Sequence, residues 1–151
     1  MNVLDGMDVE EIICVGLEYG DDFHECVEEV AREKNIDSGV ILSGIGTFYI
    51  ARIHYVTHTD FPSNDRIVEK EGPIELTSVS GIIADGQPHM HCNMAIRGEE
   101  VFSGHLEPGC KILYLGEVVI AKLRGRSLSR DKHPELGTPR LIDAHASGQT
   151  E

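Results

Sequence analysis

Three histidines stand in a pattern that suits metal chemistry: His89-Met90-His91, then thirteen intervening residues, then His105. Side chains two apart on a β-strand project from the same face, so His89 and His91 can share one target. Residues 88–96 read as a strand, and 100–106 as its hairpin partner across Arg97-Gly98-Glu99. If Ile96 pairs with Glu100, His91 lies directly opposite His105, with His89 on the diagonal of the same face. A slip of one residue would send His105 to the other face. Three imidazoles converging on one point, with a fourth position left to solvent, form the ligand set of an open zinc site. Zinc or another divalent transition metal is therefore expected on His89, His91 and His105. Binding needs neutral imidazoles, so occupancy should fall below about pH 6. Glu75 and Glu107 are the carboxylates that could assist proton transfer, and in this register Glu107 shares the histidine face. The other histidines (His24, His54, His58, His133 and His145) have no partner placed by spacing.

The elements that must hold this hairpin can be read from pattern. Glu11–Leu17 is a short apolar strand. Asp22 and Glu25 stand at capping-box spacing, and Phe23, Cys26, Val27, Val30 and Ala31 form one helical stripe, which predicts a helix over 21–34. Asn35 suits a left-handed stop. Ser38–Gly46 is apolar on both faces, as a central strand should be. Its glycines precede no helix, so they indicate a bend or a close backbone approach and not a phosphate loop. Ala51–Thr57 and a polar edge strand, Arg66–Lys70, follow. Glu71-Gly72-Pro73 reads as a turn into Ile74–Ala84, and Asp85-Gly86 as a turn into the histidine strand. Lys111–Lys122 is a long apolar strand. The expectation is one α+β domain over 1–124, a largely antiparallel sheet with one main helix, followed by an extended tail over 125–151.

Bulk properties narrow the partners. The 151-residue chain carries 13 basic against 26 acidic side chains, for a net charge of −13, and such a surface repels a phosphate backbone. The one basic run, Lys122-Leu123-Arg124-Gly125-Arg126, reads as a solvated strand exit. Direct nucleic-acid binding is therefore not expected. No apolar run approaches the roughly 20 residues of a membrane span, and no secretory signal is visible. Four scattered cysteines, with Cys14 in a strand and Cys26 on the helix stripe, suit reduced core thiols and a cytoplasmic location.

The order of motifs resembles the PPC domain, the plants and prokaryotes conserved family, in its short prokaryotic form. The likeness runs from about Glu11 to Leu123. It rests on Gly20-Asp21-Asp22-Phe23, on Gly39 through Gly46, on Gly72 through Gly81, on Asp85-Gly86 with His89 and His91, and on Gly104-His105-Leu106. The resemblance implies a homotrimer, and a sheet flanked by one helix like that of zinc-dependent acetolactate decarboxylases, which also hold a metal with a His-x-His…His set. Plant relatives carry a separate AT-hook that binds DNA; this chain has none. Apart from the resemblance, the strands carry more apolar residues than one helix can cover, which also points to an interface. Three functions follow as alternatives: a trimeric metal-binding protein, a zinc-dependent lyase or hydrolase acting on a small carbonyl or carboxylate compound, and a non-catalytic assembly or DNA-associated regulatory module.

Overall fold

Among the described residues, alternating apolar and polar side chains, broken by glycine turns, give a six-stranded antiparallel sheet with a single helix. A computed structural model describes residues 1–145, in the order β1 (Asp8–Leu17), α1 (Phe23–Glu33), β2 (Ser38–Val56), β3 (Asp65–Ala84), β4 (Gln87–Ile96), β5 (Glu100–Leu106), β6 (Lys111–Arg124), β7 (Leu128–Lys132) and β8 (Pro139–Asp143). The main sheet runs β1-β6-β2-β3-β4-β5, and β5 returns to pair with β2. The strands β2, β3, β4 and β5 therefore close into a small ring. Its interior is filled by side chains such as Ile53, Leu76, Met90, Met94 and Leu106, all buried. With the inside packed, polar chemistry is left to the outer face.

The helix forms where its stripe and cap predict. Asp22 caps it, accepting from the backbone N–H groups of His24 and Glu25, and Asn35 adopts the left-handed conformation just after it. Phe23, Val27 and Ala31 are buried, and the Phe23 ring meets Phe48 edge-on at 5.9 Å. Asp22 is itself buried, and its second oxygen accepts from the Gly109 N–H at 2.7 Å. One carboxylate thus fixes both the helix start and the turn after β5. Asp22→Ala is expected to lower the unfolding free energy by about 1–2 kcal/mol, which urea denaturation would read. Stability unchanged within 0.5 kcal/mol, a rough experimental margin, would contradict that role.

Three expectations are corrected. Ser38–Gly46 and Ala51–Thr57 belong to one 19-residue strand, and Arg66–Lys70 and Ile74–Ala84 to one 20-residue strand. The break expected at Glu71-Gly72-Pro73 is a bulge: the β2–β3 register shifts between Phe48 and Ile50, and Gly72 takes a φ of 135° there. Within the segment expected as an extended tail, β7 and β8 form a hairpin, and residues 146–151 lie outside the described residues. Cys14, expected in the core, is exposed because its register partner Val119 sets it on the outer face. The β2 glycines behave as expected. A Cβ on Gly44 would stand 2.3 Å from Val79, and one on Gly46 would stand 2.8 Å from the Leu115 carbonyl. No helix among the described residues is long and apolar enough to cross a membrane.

The cations of the basic run are engaged by acids. Lys122 pairs with Glu10, Arg124 with Asp8, and Arg126 with Asp5 and Asp143.

Candidate metal centre

Register places the histidines. Ile96 pairs with Glu100, so His91 lies opposite His105, and the β2–β5 closure sets His54 opposite His105 on its other side. Ser80, His91, His105 and His54 therefore form one continuous row across β3, β4, β5 and β2. His89 occupies another row of the same face, opposite Ile82. Alternation sends Met90, Cys92 and Met94 inward while His89 and His91 face out.

The nitrogens approach one another closely. His89 Nε2 and His91 Nε2 are 3.1 Å apart. The His105 ring centre lies 4.8 Å from that of His89, 5.5 Å from that of His91 and 4.4 Å from that of His54, on which it stacks. Glu107 stands beneath the stack, with Oε1 2.5 Å from His54 Nδ1 and 3.1 Å from His105 Nδ1. The approach to His105 is poorly aligned, so His105 Nδ1 is buried without a hydrogen-bond partner among the described residues. A buried, unpartnered imidazole nitrogen is costly unless something else satisfies it. Among the described residues, His54, His105 and Glu107 are the one group of three whose donor atoms all lie within 4.8 Å of one another.

Local spacing does not reveal His54, because its partner His105 lies 51 positions away and is set by the closure of β5 onto β2. Glu75, the other carboxylate considered, lies on β3 opposite Ala95 and Thr47, away from the imidazole cluster.

Electrostatics favour the neutral forms of His89 and His105. Burial, together with the neighbouring His54 and His89 rings, pushes the His105 pKa down to about 4 against the opposing pull of Glu107. Burial also lowers His89, helped by Arg130 and the other imidazoles. Burial alone would raise Glu107, but its hydrogen bond with His54 and the nearby rings hold it below the ordinary carboxylate range. Neutral imidazoles beside an ionised carboxylate are the protonation states that a divalent ion requires. Burial pushes the Cys92 and Cys110 thiols up to about 12, so both stay protonated and neither offers a thiolate.

These values fix a sign for acid stability. An unfolded imidazole takes its proton near pH 6.5, whereas folded His105 resists until about 4. The unfolded state binds the proton first, so metal-free protein is expected to lose stability as pH falls from about 6.5 towards 4. Urea midpoints at pH 7.5, 6 and 5 test this, and His105→Asn should flatten the dependence. An equally steep loss in that variant would place the titration elsewhere.

The fold and this outward His/Glu cluster define a class: a single-helix, mostly antiparallel α+β domain with a candidate metal centre on its sheet. The family model for the Plants and Prokaryotes Conserved (PCC) domain matches residues 5–124, and the chain belongs to that family. A solved metal-containing protein from Archaeoglobus fulgidus is 27% identical, with a TM-score of 0.78 over 94% of this chain and 99% of its own. A plant- and prokaryote-conserved protein from Pyrococcus horikoshii, 20% identical, shares the fold with a TM-score of 0.76 over 93% of this chain and 99% of that one. Among curated proteins, the bifunctional protein GlmU of a Synechococcus strain is 27% identical over 118 residues. That match takes in 78% of this chain and 18% of the relative, so the chain spans under a fifth of that protein's length.

Proposed function

We propose that this chain is a homotrimeric metal-binding protein holding one divalent transition ion, zinc in the first instance, on His89, His91 and His105, with Glu107 and His54 orienting the third ligand. The observation that carries this reading is the 3.1 Å separation of the His89 and His91 Nε2 atoms. Two imidazoles on one tetrahedral zinc, each about 2.0–2.1 Å from it, bring their nitrogens to about 3.3 Å. Glu107, hydrogen-bonded to His54 and 3.1 Å from His105 Nδ1, is placed to orient His105 once that ring turns to bind the ion. When bound, such an ion supplies Lewis acidity and lowers the pKa of coordinated water, the chemistry of a lyase or hydrolase acting on a small carbonyl or carboxylate compound. The relative from Archaeoglobus fulgidus, described as metal-containing, supports the reading. A second set, His54, His105 and Glu107, is favoured by the closure of its donor atoms; the two sets share His105 and differ in whether His89 and His91 or His54 and Glu107 complete it.

The trimer is supported by the same outer face. Register carries one row from Ile12 through Ala121, Val40 and Ile82 to His89. On this side of the sheet Ile12, Leu42, Ile45 and Leu115 remain about half exposed. Apolar strand surface of that extent marks an interface. Light scattering should return three times the 16.6 kDa protomer mass, and a monomer would end the assembly reading. Metal analysis of tag-free protein should give one ion per protomer, and its absence after zinc reconstitution would end the metal reading. The ion pairs on Lys122, Arg124 and Arg126, with the acidic surface, favour a module without nucleic-acid affinity; salt-sensitive DNA binding would contradict this.

A further inference from the structure

The C-terminal hairpin, beyond the residues that the family model matches, brings a guanidinium to the histidine face. The hairpin is anchored at the turn before β4. The Asp85 N–H donates to the Leu128 carbonyl at 2.9 Å, Ser129 Oγ donates to Asp85 at 2.5 Å, and the Leu128 N–H donates to Ser38 Oγ at 2.8 Å. Arg130 follows directly, its Nη2 donating to the Ile82 carbonyl at 3.2 Å. Ile82 is the cross-strand partner of His89, so the guanidinium is tethered to the residue that faces a proposed metal ligand. A cavity of about 470 Å³ lies between hairpin and sheet, lined by His89, His91, Arg130, Ile82, Pro139 and Leu141 among others.

The charges in that cavity are uneven. Arg140, at its edge, is held by Asp131 through two bonds of 2.6 and 2.9 Å. Arg130 has no carboxylate oxygen within ion-pair distance among the described residues, in a chain where acids outnumber bases two to one. A partly buried guanidinium whose one protein bond is to a carbonyl retains donors for an anion. Ile82, Pro139 and Leu141 supply apolar walls beside it. The volume falls in the range of small-molecule sites.

We infer that this cavity, beside His89 and His91, binds a small carboxylate with an apolar substituent, its carboxylate paired with Arg130 and its alkyl group against Ile82 and Leu141. The inference builds on the metal reading by naming the ligand class of the same face, with Arg130 as a specificity residue.

The test is calorimetric titration of the zinc-reconstituted protein with isovalerate and with its neutral analogue isovaleramide, in wild type, Arg130→Gln and Arg130→Lys, with metal content and circular dichroism measured in parallel. Isovalerate should bind wild type at least tenfold more tightly than the amide. Arg130→Gln should keep its metal and fold yet lose at least tenfold in isovalerate affinity, and Arg130→Lys should recover part of it. Arg130-dependent binding in protein that holds no metal would support the anion site while removing the metal reading. Metal-loaded wild type that ignores isovalerate, or binds it no better than Arg130→Gln does, would overturn the inference and leave the metal reading standing.

Discussion

His105→Ala is expected to abolish stoichiometric metal, with affinity falling roughly 100-fold or more. That magnitude follows from the ~10–16 kcal/mol that a zinc site gains from about four ligands together. His105 is the one residue common to both ligand sets, and its Nδ1 is buried with nothing in the described protein to satisfy it. His91→Ala should have a comparable effect if the three-imidazole set is correct. His54→Ala separates the sets: as an orienting residue His54 should cost about 10–100-fold, whereas as a ligand it should cost as much as His105. His133→Ala is the control. The His133 ring accepts from the Glu135 and Leu136 N–H groups in the β7–β8 turn, away from the cluster, so metal content should stay at the wild-type value. Equal retention of metal by His105→Ala and His133→Ala would locate the site elsewhere.

Gly104→Ala should damage stability and metal binding together. A Cβ at Gly104 would stand 2.5 Å from the His54 carbonyl oxygen and 3.2 Å from Ile53 Cδ1. The first neighbour is backbone and cannot rotate away. The β2–β5 closure consists of Ile53 opposite Leu106 and His54 opposite His105, so a methyl group placed there forces apart the strands that stack the two imidazoles. The expected loss is about 1–3 kcal/mol or more, with weakened metal binding as His105 moves off Glu107. Ser103→Ala, on the same strand but exposed and facing away from that contact, should be close to neutral. Thermal unfolding with metal titration decides between them. Wild-type stability in Gly104→Ala would mean that β5 can leave β2 without cost.

Period and punctuation carried much of this architecture. The helix was legible because its stripe, its Asp22 cap and its Asn35 stop agree, each being a local signal. The β4–β5 register was legible because a short loop fixes which residues face each other, and that pairing brings His91 to His105. Strand lengths were not legible: glycine and proline at 71–73 look the same in a turn as in a bulge, and only pairing with β2 keeps the chain extended there. The strands of the C-terminal hairpin lack apolar periodicity, because Leu128 is its one buried hydrophobic side chain and its anchors are hydrogen bonds to Ser38 and Asp85. By itself the sequence determined which imidazoles share a strand face. Only the tertiary structure decided that His54, Glu107 and Arg130 join them, since ring closure and hairpin docking join residues 44 to 53 positions apart, across distances at which no sequence period acts.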